Sequence, residues 1–159
     1  MKKPTGGGPT TAQQVLASVG VESDATRKAH MISDVNGLLT TCGDLLIGVA
    51  RSTGSILNNP ELRSAMQPED VQILTNLAGN LQRDSETFGA QLNGLREEAA
   101  QLSKIQDWPD FLVKGMTLTE SLVQWQASYS NVVLPTKDQI DNQIRAVIAR
   151  AKLGEQNVQ

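Results

Sequence analysis

Cysteine and histidine are almost missing from this chain, with one of each in 159 residues. A lone cysteine closes no internal disulfide, and one cysteine with one histidine falls short of a zinc-binding set. Aromatics are only 3% of the residues, which excludes base-stacking platforms and aromatic cages. Long apolar runs are missing too. The longest, Leu45 to Ala50, is interrupted by Gly48 and lies far below the ~20 residues that span a bilayer. Positive charge is in short supply: 14 Lys and Arg stand against 17 Asp and Glu, a net charge of −3. That sign argues against a general phosphate-backbone binder. Charged residues make up 19% of the chain, below the roughly 25% of an average domain. In their place stand 14 Gln and 9 Asn.

What is present is enough apolar material for one folded domain, since 39% of the residues are hydrophobic and the length suits a single core. Met1-Lys2-Lys3 resembles the start of a signal peptide, but Pro4-Thr5-Gly6-Gly7-Gly8-Pro9 stands where the apolar stretch belongs. We therefore expect a soluble protein with no signal-peptide export, cytoplasmic at synthesis. Pro4 to Thr11 carry no side chain suited to a core, and residues 1–11 read as a flexible Gly/Pro/Thr arm. Residues 12–159 read as one helical bundle domain.

The hydrophobic period is helical throughout. A short amphipathic piece capped at Thr10 or Thr11 aligns Val15, Leu16 and Val19 before Gly20. After a cap at Ser23 or Asp24, Met31, Val35, Leu38, Cys42, Leu45, Val49, Ser52 and Ile56 repeat at alternating fours and threes, widened by Ile32, Leu39 and Leu46. Gly37, Gly43, Gly48 and Gly54 interrupt this helix at up to ~1 kcal/mol each, so close approach of a neighbouring backbone is the expected compensation. Asn58-Asn59-Pro60 ends it, and a short helical turn follows from Pro60. Pro68 then opens a segment whose seam runs through Leu74, Leu81, Phe88, Leu92, Leu95, Leu102 and Gln106. Asp107-Trp108-Pro109 marks a boundary, after which Phe111, Gly115, Leu118, Leu122, Trp125, Tyr129 and Val132 share a face. Leu134-Pro135 predicts another break, with Thr136 and Gln139 as a capping box for a last helix through Ile140, Ile144, Val147, Ile148 and Ala151. The expected fold is all-α, an elongated up-down bundle of about four long helices with short connections.

Chemistry is sparse. His30 and Asp34 lie four apart on one helix, where a surface ion pair is the ordinary reading. Cys42 falls on the apolar seam and reads as a small hydrophobe. Asp84, Glu86, Glu97, Glu98 and Glu120 lack the Glu-x-x-His pairs of a di-iron bundle. Gly6-Gly7-Gly8 has neither a preceding strand nor a following Gly-Lys-Ser/Thr, so no Walker loop is expected. No catalytic residue, metal or cofactor is expected. Lys137, Arg145, Arg150 and Lys152 form a local basic edge on the last helix and are candidate nucleic-acid contacts. Phe111 and Trp125 read as core, whereas Trp108 and Tyr129 are interface candidates.

A surface rich in Gln and Asn sheds water more cheaply than a charged one. With helices longer than a compact domain needs, glycine-notched faces and an arm at Pro4, Gly6, Gly7, Gly8 and Pro9, the expectation is a non-enzymatic subunit of a larger assembly. Its partners are further copies and other protein subunits, and by analogy with arm-bearing shells it is a phage virion component of capsid, tail or portal. The alternative is a small helical adaptor, chaperone or inhibitor with a single protein partner.

Overall fold

The computed structural model describes residues 23–158. It contains α1 (Asp24–Leu57), the short α2 (Pro60–Ala65), α3 (Pro68–Leu102) and α4 (Trp108–Val158); no strand occurs among the described residues. The expected short helix at residues 10–19 and the arm at 1–11 lie outside them. The fold is all-α, as the periodicity implies, built from three long helices and one short one.

Each start has a local cause. Ser23 Oγ accepts from the Thr26 amide at 3.2 Å, satisfying one of the orphan donors at the head of α1. Asn59 Oδ1 does the same for α2, accepting from Glu61 and Leu62 at 2.9 and 3.2 Å. Pro60 and Pro68 fill first-turn positions, where the missing N–H costs nothing. Asp107 heads α4, its carboxylate accepting from the Asp110 amide at 3.3 Å.

Long-range contacts set the topology. Lys28 Nζ donates to the Gln106 carbonyl at 2.5 Å and lies 5.5 Å from the Phe111 ring, so α1 and α4 begin at the same end. Further along, Cys42 meets Leu122 and Leu45 meets Tyr129, so the two helices advance in parallel. Gly43 faces Arg96 and Gly89 faces Leu46, which runs α3 in the opposite direction. Three long helices thus enclose one core of Val35, Leu39, Cys42, Leu81, Phe88, Leu92, Leu118, Leu122, Trp125 and Tyr129, extended by Val133, Ile140 and Val147. At 51 residues, α4 is roughly 77 Å long at 1.5 Å per residue. Its C-terminal part passes beyond the middle of the bundle to cover α2, with Ile144 and Ile148 lining a groove shared with Leu62 and Ala65.

The expected break at Pro135 does not occur, because α4 runs through it. The buried positions Tyr129, Val133, Ile140, Ile144 and Val147 keep one continuous face on either side of the proline, while Pro135 itself is exposed. Burial of that face outweighs the lost hydrogen bond, and on the outer side of a long helix the freed carbonyl remains open to water. The seams also drift. Thr53 is buried in place of Ser52 and Ile56, and Val133 in place of Val132, since a straight helix turns ~20° per heptad away from a strict 3.5-residue repeat.

The glycines divide into two groups. A Cβ on Gly115 would lie 1.9 Å from Met31 Sδ and one on Gly43 would lie 2.7 Å from the Arg96 guanidinium, so here helices do use the missing side chain. Around Gly37, Gly48, Gly54, Gly79 and Gly94 nothing lies within 4 Å. The expected close backbone approach therefore occurs at none of the four α1 glycines, and at Gly43 it is the Arg96 side chain that uses the space.

Candidate interaction surface

The polar groups that sequence singles out are dispersed or engaged. Cys42 is fully buried, its Sγ 4.0 Å from the Leu122 carbonyl. Burial pushes the thiol up, against smaller opposing effects of a Gln126 hydrogen bond and the Arg96 charge. A thiol held protonated in apolar surroundings is a packing group and a poor nucleophile. His30 and Asp34 are both on the exposed side of α1. Glu98 pairs with Lys114 at 3.3 Å, tying α3 to α4. Among the described residues no three His, Cys, Asp or Glu side chains gather as a metal cluster. No helix among them is long and apolar enough to cross a membrane.

The four basic residues of the last segment do not form one unengaged row. Lys137 pairs with Asp141 at 2.7 Å, Arg145 donates to Asn142 at 3.1 Å, and Arg150 is bound to Asp70. Lys152 is exposed on the rim of the groove between α2 and α4.

Tyr129 requires a correction. It is fully buried, stacked on Trp125 at 5.1 Å and edge-on to Phe88 at 5.5 Å, and burial pushes its phenol up. It is a core residue with no surface to offer a partner, placed there because α4 presents every third or fourth side chain to the same two neighbours. Trp108 is half-buried at the bundle end, stacked on Phe111 at 6.0 Å with the Arg27 guanidinium 4.4 Å above its ring. Pro4, Gly6, Gly7, Gly8 and Pro9 lie outside the described residues.

Sequence reasoning missed the polar knot at the far end. Asp70 is buried, receives the Gln67 amide at 2.8 Å and the Gln143 side chain at 2.9 Å, and binds Arg150. Thus one carboxylate caps α3 and anchors the last part of α4. The Arg150 guanidinium foremost, then the Gln67 amide, hold its carboxyl below the usual carboxylate range, with burial opposing them. A folded value below the unfolded one stabilises the fold above the ordinary carboxyl pKa of about 3.9. That contribution is lost as pH falls through the lower folded value. We expect the wild type to show a higher urea midpoint than Asp70→Asn at neutral pH, with the two curves converging in acid. Parallel curves at every pH would contradict this role.

What remains exposed is mostly uncharged. No charged side chain occurs in α4 from Ser121 to Thr136, in α3 from Val71 to Gln82, or in α1 from Val35 to Gly43. Val71, Ile73, Val123 and Val132 are exposed within these stretches. A groove of about 390 Å³ runs between α1 and α3, lined by small residues including Ala50, Gly54 and Ala78 and by Ser85, whose buried hydroxyl has no partner. Set against protein-family models, curated proteins and solved structures, the chain finds no match.

Proposed function

We propose that this chain is a non-enzymatic structural subunit of a larger protein assembly, binding neighbours through its helix faces and its N-terminal arm. The observation that carries the reading is the set of exposed, charge-free stretches on all three long helices. The cores of protein interfaces are depleted in charge, and exposed apolar residues interspersed with Gln, Asn, Ser and Thr lose water there at low cost. The Gly/Pro/Thr composition of residues 1–11 supports the finer reading of a virion component of capsid, tail or portal, with contacts to copies of itself and to other subunits.

The test is solution mass by light scattering across a concentration series, for the full chain and for a form lacking residues 1–11. A large discrete oligomer that loses subunits without the arm is the expected result. A concentration-independent monomer in both forms would overturn it in favour of an adaptor or inhibitor with one protein partner.

A further inference from the structure

The buried row of α4 is interrupted at one place. From Leu118 to Val133 buried residues recur every three or four positions, and they do so again from Ile140 to Val147, but none of residues 134–139 is buried. Pro135 falls in that gap. It has no N–H to give the Asn131 carbonyl, so the weakest packing of α4 and its missing backbone hydrogen bond coincide. Sharp helix bends are found at prolines in this position.

The two parts of α4 have different neighbours. Before the proline, Lys114 pairs with Glu98, Trp125 donates to the Phe88 carbonyl, and Tyr129 lies 3.5 Å from the Leu45 carbonyl. These contacts tie α4 to the middle of α3 and α1. After the proline, Gln143 and Arg150 both bind Asp70 at the head of α3, and Ile144 and Ile148 share a groove of about 620 Å³ with Leu62 and Ala65 of α2. A second groove, of about 720 Å³, opens at this end between the close of α1 and the first half of α3. Sparse packing and a few anchoring contacts mark regions that open below the stability of the whole.

We infer that residues 136–158 form a strap that opens about Pro135 while the remainder of the bundle stays folded, with Asp70 as the latch that holds it shut. The latch suits reversible opening. Asp70 is 3% exposed when closed, yet the side chain of Arg150 that covers it is 42% exposed, so water reaches the pair from outside. When the strap lifts, both charges regain water, and the hydration recovered offsets much of the attraction given up. The Gln67 amide still donates to Asp70, so the head of α3 keeps its cap. The opening uncovers an apolar face, made of Ile140, Ile144 and Val147 on the strap and Leu62 on α2, which the closed form conceals.

Hydrogen exchange of the full chain, resolved by residue with NMR, tests the strap. In the wild type the amides of Ile140, Ile144 and Val147 should share one opening constant, at least ~10-fold above that of Leu122, Trp125 and Tyr129. Its urea dependence should be shallower, since less surface is exposed than in global unfolding. Asp70→Asn and Arg150→Gln should each raise exchange in the strap by a further ~10-fold or more. One common opening on both sides of Pro135 would overturn the inference, as would protection that falls smoothly back from Val158, the pattern of end fraying. Strap exchange no faster in either variant would overturn the latch. The wild-type comparison decides the strap whether or not the variants fold, and the strap belongs to a single chain, so it stands or falls apart from assembly.

Discussion

Replacing Trp125 with alanine should lower the thermal midpoint by roughly 6–20 °C, the largest loss expected from any single truncation in the bundle. The indole is 4% exposed and packs between α4 and α3. It meets Phe88 edge-on at 5.7 Å, stacks on Tyr129 at 5.1 Å, and donates from Nε1 to the Phe88 carbonyl at 3.0 Å. Truncating a buried tryptophan or phenylalanine costs about 3–5 kcal/mol through lost transfer energy and the remaining cavity. A chain of this size shifts by about 2–4 °C for each kcal/mol. The Phe88 carbonyl is in mid-helix, so the cost is mainly one of packing. Val123→Ala, two residues earlier on the solvent side, should change stability by no more than ~0.5 kcal/mol. Thermal unfolding followed by helical circular dichroism at fixed protein concentration decides the matter. A drop no larger than that of Val123→Ala would show that the aromatic cluster does not hold the helices together.

Pro135→Ala should act in the opposite direction, raising the midpoint by roughly 6–12 °C. An interior proline is about 3 kcal/mol worse than alanine in a helix, since it removes one backbone donor and its ring crowds the preceding turn. Pro135 lies inside α4 with its ring in solvent, so alanine restores the bond to the Asn131 carbonyl and gives up no core contact. The same thermal scan measures it. No rise, or a fall, would mean that α4 parts near Leu134 in solution, as the proline rule alone expects.

That proline also shows what was legible in the sequence and what was not. The seams of α1 and α3 were plain from their spacing, and Val35, Cys42, Val49, Leu74, Leu81, Phe88, Leu92 and Leu102 are buried as it requires. The continuity of α4 was equally present. Phe111, Gly115, Leu118, Leu122, Trp125, Tyr129, Val133, Thr136, Ile140, Ile144 and Val147 follow one another at fours and threes on both sides of the proline. A local rule about one residue obscured it. Tyr129 belongs to the same row, and the period that makes Phe111 and Trp125 core places it there too.

The surface was less legible. The Asp70 knot joins residues 73 and 80 positions apart in the chain, and only the packing of α4 across the start of α3 brings them together. Asp70 looked like an ordinary acidic residue in a first helical turn. The glycines misled for a related reason: spacing shows where side chains are missing, and only the neighbouring helix determines whether the gap is filled. Gly115 is met by Met31, whereas Gly48 has nothing near it.

The parallel course of α1 and α4 has a consequence for how the chain reaches its native state. All-helical proteins fold fast when their contacts are local, but Cys42 meets Leu122 and Leu45 meets Tyr129 across 80 and 84 residues. Without α4 the pair of α1 and α3 would have one wet side, because Phe88, Leu92 and Cys42 need Trp125, Tyr129 and Leu122 to exclude water. Closing such a span costs entropy before any contact repays it. Docking of α1 against α4 closes the longest spans in the fold, so a nascent chain stays incomplete until the buried row of α4 has been made as far as Val147.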